Sequence, residues 1–323
     1  MASLVEVRNL KKYFPVPKGS LHAVDGVSFT IEEGQTLGVV GESGCGKSTL
    51  GRTLLGLLPA TDGTICFEGR DITHAKRSER RKLQQSMQFI FQDPFSSLDP
   101  RMTVAELIAE PLEVNRVCRS KKERRERVAD LMNTVGLAER FEKSYPHELD
   151  GGRRQRIGIA RALAMRPKFI ICDEPVSALD VSIQAQILNL LQDLQASQNL
   201  AYIFITHDLS VVKHISNHIM VMYLGCMVEM SPSKELFLHP LHPYTKGLIS
   251  AIPIPSIYAE KKRVIMQGEL VSPINPKPGC RFAPRCPYAG EICRREMPQA
   301  EEISDGHFVA CHNVRQINGL TGV

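Results

Sequence analysis

The run Gly41-Glu42-Ser43-Gly44-Cys45-Gly46-Lys47-Ser48-Thr49 fits G-x-x-x-x-G-K-[ST], a spacing whose chemistry is phosphate binding. Its glycines let successive backbone N–H groups close around the β- and γ-phosphates of a nucleotide. Lys47 adds a point charge and Ser48 a hydroxyl for Mg²⁺. A second set of reactive groups, Cys172-Asp173-Glu174, begins with Asp173 some 126 residues beyond Lys47. The two carboxylates close the apolar run Phe169-Ile170-Ile171-Cys172, and the C-terminal tip of such a strand is where open α/β sheets bind ligands. Asp173 there suits Mg²⁺, and Glu174 suits polarising an attacking water. A third apolar run, Ala201 to Ile205, leads into Thr206-His207-Asp208, so His207 could reach a γ-phosphate from a neighbouring strand tip. A lone histidine there reads equally well as structural, but beside the other two motifs it points to nucleoside triphosphate hydrolysis.

Those groups need elements to hold them. Leu37, Val39 and Val40 form a strand before the phosphate loop, and Leu50 to Leu58 reads as a helix after it. Val5 to Phe29 is strand-rich, and Val27-Ser28-Phe29-Thr30-Ile31 alternates as a half-buried strand does. Residues 100–165 change character: Thr103 to Val114, Lys121 to Val135 and Gln155 to Met165 read as helices inserted between the loop and the carboxylate strand. Ser182 to Gln195 is a further helix with Ile183, Ile187, Leu190, Leu191 and Leu194 on one face. Beyond residue 235, Pro240, Pro243, Pro253, Pro255, Pro273, Pro276, Pro278, Pro284 and Pro287 predict an irregular C-terminal region.

That region carries Cys280, Cys286, Cys293 and Cys311 at C-x5-C-x6-C-x17-C spacing. Four thiols where an apolar core is thin suggest a metal holding the fold. Tetrahedral zinc, a [4Fe–4S] cluster and unligated thiols are the three readings, and the absence of a C-x2-C knuckle weighs against zinc. His307 and His312 flank Cys311 as fallback ligands, while Cys172 reads as strand core.

With 323 residues the chain can bury a substantial core, and a net charge of +5 is small for this length and does not by itself suggest nucleic acid. The basic runs Lys76 to Lys82 and Arg119 to Arg127 lack interleaved aromatics, and the second carries Glu123 and Glu126 at helical spacing. Solvated helix faces, not nucleic-acid contacts, are expected. No apolar stretch is long enough to span a bilayer, the N-terminus lacks a signal-peptide core, and nine cysteines point to a reducing, cytosolic compartment.

Gln92-Asp93-Pro94, Leu149-Asp150-Gly151-Gly152-Arg153-Arg154-Gln155-Arg156, Ser177-Ala178-Leu179-Asp180 and His207 follow the phosphate loop in an order that resembles the ATP-binding-cassette ATPases, over roughly residues 4–235. Tyr145-Pro146-His147-Glu148-Leu149, the run Cys172 to Gln184 and His239-Pro240-Leu241-His242-Pro243-Tyr244 are similar to the ATPases of dipeptide and oligopeptide importers. Gly44-Cys45-Gly46 and Val176-Ser177 resemble the F-type subunit, which works beside a D-type ATPase. The resemblance implies an α/β fold: a RecA-like P-loop ATPase core, an antiparallel β subdomain, a helical subdomain at about 93–165, and an irregular metal-binding extension over 236–323. The ATPase domain itself would span 1–235.

It also implies roles. Tyr13, with Phe14 as runner-up, would stack on adenine. Gly41 to Thr49 would bind ATP. Gln92 would touch Mg²⁺ together with Ser48 and Asp173. Glu174 and His207 would serve hydrolysis. The stretch Asp93 to Met102 would face the transmembrane subunits, and Ser177 and Asp180 the dimer interface. Asp150, Gly151, Gly152 and Arg153 would form the signature that acts in trans on the partner's ATP. The tail spacing resembles the peptide-importer extension known to hold a [4Fe–4S] cluster, whose charge Arg281, Arg285, Arg294 and Arg295 could offset. Implied partners are a D-type ATPase, two transmembrane permease subunits and, indirectly, an external peptide-binding protein, with the chain peripheral on the cytoplasmic face of the membrane. A nickel-chelate importer and a non-transport cassette ATPase are the alternatives, the latter usually needing two cassettes or a coiled-coil insertion. A P-loop kinase or GTPase would not carry Gly151-Gly152, and no Asn-Lys-x-Asp motif is present.

The family's Leu-Ser-Gly-Gly-Gln reads Leu149-Asp150-Gly151-Gly152-Arg153 here. A serine hydroxyl can donate to a phosphate, whereas an ionised Asp can only accept. Asp is as good a helix N-cap as Ser, so the expectation is an intact helix and an impaired composite site, unless Arg153 compensates.

Overall fold

A computed structural model describes residues 3–93, 95, 97–252, 266, 268 and 271–320. Pro94, Pro253 and Pro255 lie outside them. The strands in chain order are β1 (Ser3–Val16), β2 (Gly19–Glu32), β3 (Thr36–Val40), β4 (Asp62–Phe67), β5 (Arg70–Asp71), β6 (Met87–Ile90), β7 (Phe169–Asp173), β8 (Ala201–Ile205), β9 (His218–Tyr223), β10 (Cys226–Pro232), β11 (Glu301–Ser304) and β12 (His307–Val309). The helices are α1 (Lys47–Leu54), α2 (Arg77–Ser86), α3 (Val104–Val114), α4 (Lys121–Thr134), α5 (Gly151–Leu163), α6 (Val181–Gln198), α7 (Leu209–Ile215), α8 (Ser233–Leu238), α9 (Pro243–Ala251), α10 (Glu291–Arg295) and α11 (Val314–Asn318).

The chain divides into two units, one of 1–32, 36–74 and 205–323, the other of 33–35 and 75–204. In the first, an antiparallel sheet runs β2-β1-β4-β5, and β3 pairs in parallel with β9. Beyond β9 come β10, β12 and β11, all antiparallel. Every residue of β3 is buried, as a parallel strand covered on both faces requires. The expected helix Leu50 to Leu58 stops at Leu54; Gly56 follows at φ 67° and Leu57 turns outward. The tail is less irregular than its prolines suggest, because β11 and β12 form a hairpin at the sheet edge whose inner neighbour is β10, Glu229 opposite Val309. Asp305-Gly306 is the turn signal. Only seven strand residues and two exposed glutamates surround it, too little for a periodic pattern.

In the second unit, β6 and β7 pair in parallel with Ile90 opposite Cys172, and β8 lies beside β7. Phe169, Ile170, Ile171 and Cys172 are wholly buried. The inserted helices begin at local caps: Thr103 with Glu106 in a capping box, Ser120 before α4, Asp150 before α5 and Asp180 before α6. The helix expected from Gln155 starts four residues earlier, at Gly151, because Asp150 supplies its cap. Lys76 to Lys82 belongs largely to α2.

Candidate functional site

Backbone conformation builds the phosphate loop. Gly46 sits at φ 105°, and a Cβ there would lie 2.0 Å from the Ala23 carbonyl; at Gly41, φ 154°, it would lie 2.2 Å from that of Met222. Neither position admits a side chain. Lys47 is buried, and its ammonium donates to the carbonyls of Gly41 (2.8 Å) and Glu42 (3.1 Å) at the loop's entrance. Glu42 is held from three sides. Its N–H donates to the Tyr244 hydroxyl at 2.9 Å, its carbonyl accepts from Lys47, and its carboxylate accepts from Arg285 at 2.9 and 3.1 Å. Burial works against the Arg285 charge, but the Glu42 carboxylate and the Tyr223 hydroxyl outweigh it and hold that pKa above its ordinary value.

Tyr13 lies in the same unit. Its ring stacks on His22 with centroids 3.8 Å apart, and its hydroxyl donates to Asp25 at 2.5 Å. Asp25 also accepts from His22 Nδ1 at 3.0 Å and from Arg281 at 2.5 Å. Burial pushes the Asp25 carboxyl up, but those hydrogen bonds and the Arg281 charge leave it below the usual range. Phe14, the other aromatic candidate, has the Lys12 ammonium 4.7 Å from its centroid. His207 is exposed just past the end of β8.

The carboxylates end β7 as expected. Asp173 is buried, and Glu174 follows with φ at 47°, an unusual backbone for a residue carrying a Cβ and one that strained functional positions often show. Gln92, two residues beyond β6, donates from Nε2 to Glu174 Oε2 at 2.8 Å, so two residues 82 apart in sequence meet. Ser177 Oγ donates to the Glu174 carbonyl, while Asp180 caps α6 through the Ile183 N–H. Asp150 caps α5 by accepting the Arg153 N–H at 2.8 Å and also pairs with the Arg153 guanidinium, which lies over the Phe141 ring. Gly151 and Gly152 open that helix. Beside α5, a cleft of about 480 Å³ is lined by Phe89, Phe91, Ser97, Pro111, Gln155 and Arg161 among others; Phe91 and Phe95 are about half exposed.

The tail differs from expectation. Among the described residues no group of three or more His, Cys, Asp or Glu side chains could hold a metal ion, so the expected [4Fe–4S] or zinc centre at Cys280, Cys286, Cys293 and Cys311 gains no support. A tetrahedral ion with thiolates at about 2.3 Å would need sulfurs only about 4 Å apart. The four cysteines are distributed over a turn, the end of a 3₁₀ segment, α10 and the loop after β12. They are nevertheless neighbours: burial pushes the Cys311 thiol up to about 11, and the other three thiols add to it. His307 is no fallback ligand. Wholly buried, it donates from Nε2 to the equally buried Glu229 at 2.8 Å, and His312 Nε2 donates to the Glu296 carbonyl. Nor are Arg281, Arg285 and Arg295 spent on offsetting a cluster; they pair with Asp25, Glu42 and Glu291. Sequence reasoning missed Asp25, His22 and the role of Tyr244, and nothing local signals them.

A phosphate loop after a buried strand, paired carboxylates at a second strand tip and a glutamine on one of them define a P-loop nucleoside triphosphatase. Comparison with known proteins narrows this class. Residues 24–177 match the ABC transporter family and residues 228–293 the oligopeptide/dipeptide transporter C-terminal region. The chain is 53% identical over 311 residues to the oligopeptide transport ATP-binding protein OppF of Escherichia coli, covering 96% of this chain and 93% of that one. It is 50% identical over 320 residues to the corresponding protein AppF of Bacillus subtilis, covering 96% and 97%. With the di/tripeptide transport ATP-binding protein DppF of Pseudomonas aeruginosa it shares 45% over 325 residues, covering 99% and 100%. A solved dimer of the ATP-binding cassette MJ0796, in a post-hydrolysis state bound to ADP and Pi, superposes with a TM-score of 0.66 at 29% identity, covering 71% of this chain and 98% of that one. The chain belongs to the ATP-binding subunits of the ABC transporter family.

Proposed function

We propose that this chain is the ATP-hydrolysing, F-type subunit of an ABC importer for dipeptides or oligopeptides, converting ATP and water to ADP and phosphate. The contact of Gln92 with Glu174 carries the reading: a catalytic carboxylate held by a glutamine on a neighbouring strand end is the arrangement hydrolysis needs. The Gly41 to Thr49 loop and Lys47 bind the phosphates, with Tyr13 at adenine. Ser48, Gln92 and Asp173 are the oxygen donors for Mg²⁺, which when bound neutralises phosphate charge; a buried carboxylate and a hydroxyl suit that hard cation. Glu174 takes a proton from the attacking water, and His207 steadies the γ-phosphate. The partner is a second, D-type ATPase. Two transmembrane permease subunits dock near Phe91, Phe95 and the cleft beside α5, with peptide supplied by an external binding protein. Among the described residues no helix is long and apolar enough to cross a membrane, so attachment to the cytoplasmic face runs through those subunits.

Because Asp150 contributes in trans, the ATP on the partner's phosphate loop is the one impaired, and the site containing Glu174 does most of the hydrolysis. Glu174→Gln in the assembled transporter is expected to abolish turnover, while the equivalent change in the partner ATPase is tolerated. Equal loss from the two would remove the asymmetry. For the tail, a [4Fe–4S] cluster is the reading over zinc, since the four thiols are neighbours and no C-x2-C knuckle is present among them. Iron and acid-labile sulfide in anaerobically purified protein test it; a chain with neither holds no cluster.

A further inference from the structure

The C-terminal extension reaches back to two nucleotide-binding residues named above, from two points between Cys280 and Cys286. Arg281 pairs with Asp25, which accepts the Tyr13 hydroxyl, and Arg285 pairs with Glu42 inside the phosphate loop. Both guanidinium side chains are only 10% exposed. Phe282 between them is buried, with Tyr223 at 5.2 Å and Tyr244 at 5.5 Å, and Tyr244 sends its hydroxyl to the Glu42 N–H. Segment 281–285 is thereby fixed by an aromatic anchor and gripped by ion pairs at each end.

We propose that Arg285, Tyr244 and Arg281 are positioning residues for ATP: the C-terminal extension sets nucleotide affinity by fixing the phosphate loop at Glu42 and the adenine platform at Tyr13. Two effects combine at Glu42. A phosphate loop works only when its N–H groups converge, and the Tyr244 and Arg285 contacts settle the orientation of the residue that follows Gly41. The Glu42 carboxylate also adds negative charge to a site built for a polyanion, and Arg285 neutralises it within 2.9 Å. At the other end, Arg281 keeps Asp25 ionised and aimed at the Tyr13 hydroxyl, which orients the ring that meets adenine. The inference rests on the reading that Gly41 to Thr49 binds ATP.

The test is MgATP binding and turnover by the full chain, with Lys47→Ala as a reference. Arg285→Gln is expected to weaken MgATP binding about tenfold, a size usual for residues that act through a neighbour. Arg285→Lys should recover most of the loss. In the assembled transporter KM for ATP should rise while kcat stays. The double variant Arg285→Gln/Glu42→Gln should return affinity to that of Glu42→Gln alone, because the stranded carboxylate is gone; simple loss of packing would make the two changes add. If Arg285→Gln does not fold, Tyr244→Phe removes one hydroxyl from an otherwise unchanged anchor and should still weaken binding severalfold. Affinity within twofold of wild type in folded Arg285→Gln or Tyr244→Phe, or additivity in the double variant, overturns the proposal. Failure of the wild-type chain to bind MgATP more tightly than Lys47→Ala overturns instead the reading on which it rests.

Discussion

Glu229 is wholly buried in β10 and accepts three hydrogen bonds: from the Leu241 N–H at 2.7 Å and His307 at 2.8 Å on one oxygen, and from the His242 N–H at 2.9 Å on the other. A carboxylate offers acceptors on both oxygens, whereas an amide offers one oxygen and an NH₂. Glu229→Gln therefore turns a donor against a donor, whichever way the amide lies. At least one buried N–H loses its acceptor and the new NH₂ finds none, at about 1–3 kcal/mol each, or about 2–6 kcal/mol in all. A chain of this length unfolds with an entropy near 0.7 kcal/mol per kelvin, so the melting temperature should fall by about 3–9 °C. His307→Gln is the informative comparison. It keeps an amide N–H within reach of the carboxylate and leaves both backbone N–H groups on it, so it should cost about a third as much. Thermal and urea unfolding of the two variants and wild type, read by circular dichroism, decide the matter. A Glu229→Gln protein melting within about 1 °C of wild type, or a His307→Gln protein losing more than Glu229→Gln, would refute the assignment of Glu229 as the acceptor that seats residues 241–242.

Burial lowers the His242 pKa to about 4 from its ordinary 6.5, and its Nδ1 must stay unprotonated to accept the Tyr244 N–H. The unfolded chain binds this proton below about pH 6.5 and the folded chain only near pH 4, so stability is lost as the pH falls through that window, by about 3 kcal/mol in total. Urea midpoints between pH 7.5 and 5 should therefore decline, and His242→Asn should flatten the curve; an equal slope in that variant would place the titration elsewhere. Asp150→Ser keeps a good N-cap and gives up only an exposed ion pair, so the melting temperature should hold to within about 1 °C. If the carboxylate opposes the partner's γ-phosphate, the same change should raise turnover at that site about fivefold or more; unchanged or lower turnover would show that Arg153 already neutralises Asp150.

What could be read from the sequence depended on whether its cause was local. The strands β3, β7 and β8 announce themselves because parallel strands buried on both faces leave continuous apolar runs. Helices α3, α4 and α6 do so because Thr103, Ser120 and Asp180 cap them within three residues. The phosphate loop is legible for the same reason: its glycines answer to backbone conformation at their own positions. The family resemblance gave Gln92 and Glu174 their roles but not the bond between them, since no periodicity links positions 82 apart.

The tail shows the opposite case, and its misreading has a physical cause. Four cysteines dominate residues 280–311, so neighbouring arginines read as counter-charges for whatever the thiols hold. Yet a guanidinium that is nine-tenths buried must be paired where it lies, and the partners of Arg281 and Arg285 stand 256 and 243 residues upstream. Similarly, His307 beside Cys311 looks like a spare ligand until Glu229, 78 residues earlier, is seen to accept its hydrogen bond. An ion pair between distant segments costs the chain an ordering entropy that rises only slowly with loop length, so nothing in the intervening sequence must change to permit it. For that reason the thiols, whose spacing is conspicuous, drew the prediction, while the arginines between them carry the connection to the nucleotide.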